Sequence, residues 1–278
     1  MDWSKAINIL IIAFLITNLI LVYVLVDNKR DDSAYLTIKE EFIREVKKLL
    51  LQKGIKIESD IPKAVPSLPL LTIEYEIQNP EKLAEKLLGN YSKDVVNGEI
   101  LYKNGNKTLQ IIDNKKIIYK NNSSIKIYDE LDKNIVVSIA ENFIKNNDFT
   151  EDDYELTDYS FNGKSYFLRY TKKSKDMLLE KSYMIFEIDN TGIKRFERLW
   201  FDFVKTSERK VTISSAPESL LRLLTMEDVY GKTIVQIDLC YYFDPVKHGT
   251  GDWKKTLKGQ AGPAWRVKFN DGTLVFID

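Results

Sequence analysis

The first 26 residues and the remaining 252 follow different patterns. From Ala6 to Val26 there are 21 residues without a charge, and 15 of them are Ile, Leu, Val or Phe. A helix of that length spans roughly 32 Å at ~1.5 Å per residue, close to the ~30 Å hydrocarbon core of a bilayer. Asn8, Thr17 and Asn18 interrupt it mildly, and Trp3 and Tyr23 fall near its ends, where amphipathic rings favour the headgroup zone. The pattern predicts a transmembrane helix over residues 6–26. A cleaved signal peptide would carry a shorter apolar region and a small-residue cleavage site. The following VLVDNKRDDSAY has no A-x-A pattern.

Beyond the span, apolar positions recur first at helical and then at alternating spacing. TIKEEFIREVKKLLLQKG predicts an amphipathic helix with Ile38, Phe42, Val46, Leu49 and Leu50 on one side, Thr37 and Glu40 at capping-box spacing, and Gly54 as its stop. IKIESDI and LLTIEYEI alternate as half-buried strands do. Asn79 as cap, Pro80 in the first turn, Leu83, Leu87 and Leu88, then Gly89, predict a short helix. EILYK, KTLQII, KKIIYK and SIKIYD predict a meander separated by hairpin residues. LDKNIVVSIAENFIKNND predicts a helix whose stripe is Ile135, Ile139 and Phe143. YELTDYSF, KSYFLRYTK, KSYMIFEID and IKRFERLWFDFV then read as strands, with DNTG as a turn between two of them. SAPESLLRLLTMEDVYG reads as a helix with Ser215 and Glu218 as a capping box, TIVQIDLCYYFDP as a long strand, and PAWRVKFNDGTLVFID as a hairpin turning at Asp271-Gly272. The fold class is therefore α+β, helices packed on antiparallel meander sheets. The expected division is a head (1–5), the span (6–26), a juxtamembrane linker (27–34) and α+β modules over 35–130 and 131–278.

The chain carries 41 basic and 41 acidic residues, and Asp2 and Lys5 are the charges within the first 26, so 40 of each remain beyond the span. That balance offers no electrostatic footprint for nucleic acid. Lys5 before the span, and Lys29 and Arg30 after it, do not set its orientation by charge. Bulk does: the short head is the cheap part to leave in the cytoplasm, which puts the following domain outside the cell. One cysteine, Cys240, excludes a scaffold of internal disulfides.

Candidate chemistry is sparse. The one histidine, His248, lies in the loop-like PVKHGTGDW, and Cys240 sits inside an alternating strand, where a thiol packs rather than reacts. Zinc needs more His or Cys than this, and no Walker loop, dinucleotide fingerprint or calcium loop occurs. Carboxylate clusters such as Glu151, Asp152 and Asp153 are expected on solvated turns of a chain with 29% charged residues. No cofactor is expected and no enzyme is indicated; the sequence points to action by contact.

Two sets of contact residues stand out. Ala6, Leu10, Ala13, Thr17, Ile20 and Val24 share one face of the span, with a small-xxx-small pair at Ala13 and Thr17; Asn8 and Asn18 offer amides to a partner helix. The alternative is a lone lipid-facing helix. The second set is aromatic: Trp200, Phe201, Phe203 and Trp253, of which any exposed member would mark a docking patch.

MDWSK running straight into ILIIAFL resembles the start of the YycI (WalI) family of Gram-positive envelope regulators. The closing PAWRVKFNDGTLVFID is similar to the end of PepSY-like domains. The resemblance implies a protein of the cell membrane, single-pass, N-terminus cytoplasmic and C-terminal domain extracellular. It would have no catalytic activity, and would adjust a WalK (YycG) sensor histidine kinase of cell-wall metabolism beside a YycH-type sister protein. The alternative is a PepSY-like envelope binding module that inhibits a protease or chaperones exported proteins.

Overall fold

A computed structural model describes Phe14 and residues 40–278 apart from 97, 150–152, 175 and 246–255. Four α-helices and fourteen strands lie among the described residues: α1 (Glu40–Gln52), α2 (Pro80–Leu88), α3 (Lys133–Asn146) and α4 (Ala216–Leu220), with β1 (Lys56–Ile57), β2 (Ser67–Tyr75), β3 (Ser92–Val96), β4 (Glu99–Asn104), β5 (Lys107–Ile112), β6 (Lys116–Asn121), β7 (Tyr154–Phe161), β8 (Tyr166–Ser174), β9 (Met177–Asp189), β10 (Gly192–Leu199), β11 (Phe201–Thr212), β12 (Thr233–Tyr242), β13 (Lys258–Phe269) and β14 (Leu274–Ile277). The α+β class holds, and the sheet is antiparallel apart from the short β1–β12 and β9–β12 pairings.

The sheet has two wings. One is the antiparallel run β7-β8-β9-β10-β6-β5-β4-β3. The other is built on β13, which pairs with β12 on one edge and with β2 and then β14 on the other, while β11 extends the wing beyond β2. They join where Leu179 and Glu180 of β9 pair in parallel with Tyr241 and Tyr242 of β12. On β9, the register against β8 jumps from Tyr183 to Leu179, and Lys181 within the jump has φ 72°. That bulge lets one strand leave one set of neighbours and enter another.

Each wing has its own core. Leu83, Ala84 and Leu88 of α2 and Val136, Ala140 and Ile144 of α3 pack on Tyr102, Leu109, Phe186 and Phe196 of the first wing. Ile43, Val46 and Leu50 of α1 pack with Leu220, Leu223, Trp265, Val267 and Phe269 on the second. A third cluster, including Leu71, Ile73, Tyr75, Leu179, Phe201, Tyr241 and Phe243, fills the joint. Each fully buried large side chain contributes ~1.5–3 kcal/mol.

Local signals explain the element ends. Asn79 Oδ1 accepts from Lys82 N at 3.1 Å and caps α2, and Gly89 closes it. Asp132 Oδ1 does the same for α3 through Ile135 N at 2.8 Å. Gly54, at φ 73°, lets α1 end hard against the backbone of Gly231, 3.1 Å from where a Cβ would sit.

Several elements differ from the pattern reading. On α1 the buried stripe is Ile43, Val46 and Leu50, leaving Phe42 and Leu49 exposed. On α3 it is Val136, Ala140 and Ile144, rotated one residue from the expected stripe. IKIESDI shrinks to two paired residues in β1. SIKIYD forms no strand, because Ile127 N and Tyr128 N both donate to Asn190 O instead of to a ladder. IKRFERLWFDFV breaks at Trp200 into β10 and β11, which enter different wings. Ser215 stands at the start of α4 without a side-chain cap bond, and the rest of the expected helix is two 3₁₀ turns. The hairpin at Asp271-Gly272 forms as expected; Ile277 and Val275 face the core and Phe276 stacks on Tyr242 at 4.6 Å on the other side.

Candidate interaction surfaces

The wings meet through charge as well as apolar contact. On the face of β12 and β13 away from their core, Arg266 Nε donates to Glu180 Oε1 at 2.8 Å, and both side chains are buried, at 1% and 0% exposure. Arg169 of β8 approaches Glu180 Oε2 at 3.6 Å, and Asp238 of β12 approaches Arg266 Nη1 at 3.7 Å. One strand further, Lys268 Nζ pairs with Asp158 of β7 at 3.0 Å. Cys240, beside this group, is fully buried, and burial together with Glu180 pushes its thiol well up. A protonated, enclosed thiol is a packing group. Asp238 is also pushed up by burial, against the pull of Arg266.

Two further polar groups brace the first wing. Arg198, buried, lies between the rings of Phe149 (4.7 Å) and Trp200 (4.8 Å) and pairs with Glu76 at the end of β2. Burial pushes its guanidinium down to about 9, against the pull of Asp202, which still leaves it cationic at neutral pH. Glu197 accepts from Tyr183 Oη at 2.7 Å and pairs with Lys116 and Arg195, each at 2.8 Å. Burial alone would raise its carboxyl, but the bonds from Lys116, Tyr183 and Arg195 outweigh it and hold Glu197 below the ordinary range. These groups are turned toward one another, although Glu180 Oε2, Arg169 Nε and Arg266 Nη2 are left without a hydrogen-bond partner, and among the described residues no three His, Cys, Asp or Glu side chains gather as a metal site.

The surface is where contact is left to make. Phe42 and Leu49, seven residues apart on the solvent side of α1, are each 39% exposed. Val95 and Ile100, opposite one another on β3 and β4, form a second apolar patch at the free end of the first wing, with Val96 exposed on the other face, and Phe203 and Val204 are exposed on β11. Of the aromatic candidates, Trp200 and Phe201 are core, Phe203 is the exposed remainder, and Trp253 lies outside the described residues. Ala6, Asn8, Leu10, Ala13, Thr17, Asn18, Ile20 and Val24 lie outside them too, as does His248. Among the described residues no helix is long and apolar enough to cross a membrane. Sequence reasoning missed the β3 patch because SKDVV is short and places two charges before its valines; the signal was its place between a helix stop and Asn97-Gly98.

The family model described as YycI protein matches residues 35–277. No curated protein matches the chain. Among solved structures, the crystal structure of YycH from Bacillus subtilis shares the fold at a TM-score of 0.52 and 13% identity, over 78% of this chain and 55% of that one. The chain thus spans about half the length of that structure. A crystal structure of an uncharacterised protein from Eubacterium rectale superposes at a TM-score of 0.48 and 12% identity, over 87% of this chain and 95% of that one.

Proposed function

Since the chain belongs to the YycI family, we propose that it regulates an envelope sensor histidine kinase of the WalK (YycG) type by contact and carries out no catalysis. The match of residues 35–277 to that family carries this reading, and the likeness of fold to YycH supports it. In this account residues 6–26 cross the cell membrane with the N-terminus in the cytoplasm, and the α+β region stands outside beside a YycH-type sister protein. The span meets the kinase through Ala6, Leu10, Ala13, Thr17, Ile20 and Val24, with Asn8 and Asn18 as hydrogen-bonding groups. Phe42 and Leu49, on the first described helix after the span, continue the contact outside the bilayer.

The mechanism is linkage. A kinase with two conformations is shifted by a partner that packs better against one, by no more than the difference in affinity. Covering what remains exposed of Phe42 and Leu49, at 39% each, is worth ~1–2 kcal/mol in total by the transfer scale, about a tenfold shift. Confinement of both partners to one membrane lets so weak a contact act.

Exchanging residues 6–26 for an unrelated leucine-rich span tests the reading. The chain is expected to reach the membrane and its kinase to lose regulation; unchanged kinase output after the exchange overturns the proposal.

A further inference from the structure

At one end of the first wing, the β7–β8 turn, the β9–β10 turn and residues 129–131 border a cleft of about 640 Å³. That is room for a small-molecule ligand. A row of rings runs along one wall. Tyr159 and Phe161 alternate onto one face of β7, and Tyr166 lies directly opposite Phe161 on β8. The rings follow in the order Tyr159, Tyr166, Phe161, with centroids 6.0 Å and then 4.4 Å apart. Phe161, the last of the row, is 52% exposed and lines the cleft with Tyr166. The walls are held from within the chain. Tyr166 Oη donates to Leu131 O at 2.8 Å, Asn190 O accepts from Ile127 N at 2.8 Å and Tyr128 N at 3.0 Å, and Asp189 Oδ1 accepts from Thr191 N at 2.7 Å. Charge around the cleft is one-sided: Asp129, Glu130 and Asp189 stand against Lys164. Lys126, 3.2 Å from Asp129, offsets only part of that excess.

We propose that this cleft binds a glycan chain carrying free amino groups, with one sugar ring on Phe161 and its ammonium among the carboxylates. A pyranose ring presents a face of C–H groups and a rim of hydrogen-bond donors. An aromatic ring bordered by acceptors matches both features, and the ring face attracts a cation as well. Glu130, Lys164 and Asn190, all exposed at the rim, offer acceptors and donors to the hydroxyls. The acidic excess disfavours a phosphate, sulfate or carboxylate ligand, because like charges brought together repel. A cationic peptide carries the same charge as an amino sugar chain. An extended peptide, however, draws affinity from main-chain hydrogen bonds, and the wall carbonyls of Leu131 and Asn190 already accept from within the chain. Phe42 and Leu49 lie on α1, which packs on the second wing. The cleft and the proposed kinase contact are therefore on different wings, and each reading stands without the other.

The test is calorimetric titration of the full chain in zwitterionic lipid nanodiscs, with empty nanodiscs as the blank. The probes are a chitosan tetramer, its fully N-acetylated form and tetra-arginine, the last matching the first in charge. The chitosan tetramer is expected to bind about fivefold or more tighter than the N-acetylated form, which has lost the charge on its hydrogen-bond donors. Phe161→Ala is expected to weaken that binding about threefold or more, and Phe161→Trp, which keeps an aromatic face, to retain it. Glu130→Gln is expected to narrow the preference for the amino form. Phe161 and Glu130 are both exposed, so the fold survives each change. Phe203→Ala, on β11 of the second wing, is expected to change nothing. No binding of the chitosan tetramer above the blank, equal affinity for the N-acetylated form, tetra-arginine binding as tightly or tighter, or chitosan binding unaltered by Phe161→Ala would each overturn the proposal.

Discussion

Replacing Glu180 by Met removes one partner of the buried pair at the joint and leaves Arg266, at 1% exposure, without its carboxylate. Breaking a buried ion pair from one side costs ~3–5 kcal/mol, because the remaining charge stays desolvated. Two features place the cost near the lower end. Asp238 lies 3.7 Å from Arg266 and is 40% exposed, so it compensates weakly through water. Arg266 is also not perfectly satisfied in the native state, since its Nη2 has no hydrogen-bond partner. The same imperfection means that the pair as a whole adds little net stability. Glu180→Met with Arg266→Met, which exchanges both charges for apolar side chains of similar length, is therefore expected to be close to neutral or stabilising. Urea unfolding followed by tryptophan fluorescence reads this directly. A loss of ~3 kcal/mol against an m-value of ~3 kcal/mol/M moves the midpoint down by about 1 M in the single variant. A single variant within a few tenths of a molar of wild type, or a double variant as unstable as the single, would refute the reasoning.

Other outcomes follow from single sites. Gly259→Ala puts a Cβ 2.2 Å from the ring of Phe243, which is buried, so overpacking should cost ~1–3 kcal/mol and lower the melting temperature. Cys240 should resist maleimide in the folded protein and react once urea unfolds it; rapid labelling of the native chain would contradict its enclosure. Glu197 has a folded pKa below its ordinary value of 4.5. Its stabilising contribution is thus fully present above that value and is lost as pH falls through the lower folded one. Glu197→Gln should accordingly flatten part of the acid limb of the stability profile while costing most near neutrality; an unchanged acid limb would contradict the assignment.

Much of the local structure was legible because its causes are local. Asn79, Pro80 and Gly89 mark α2 by cap, first turn and stop, and Asp271-Gly272 marks the last hairpin. The α1 and α3 stripes were displaced because neighbouring apolar residues compete for the core. Ile43 and Phe42 both qualify by spacing, and the approach of the 3₁₀ turn at Leu221–Thr225 decides between them. Tertiary pairing was not legible. β10 and β11 are one continuous apolar pattern, yet they enter separate wings at Trp200, whose ring takes up Arg198. The Glu180–Arg266 pair joins residues 86 positions apart and has no signature in either strand. The candidate surface was half legible: the aromatic run at Trp200 held one exposed ring, Phe203, while the barest strand, β3, carried no period long enough to read.

The central claim is action by touch, and a photo-crosslinking residue placed at Phe42, on the exposed side of α1, tests it most directly. Irradiated in intact cells, the chain should be recovered in covalent union with a sensor histidine kinase. Recovery of the chain without any kinase adduct, from cells in which it still governs kinase output, would contradict the account.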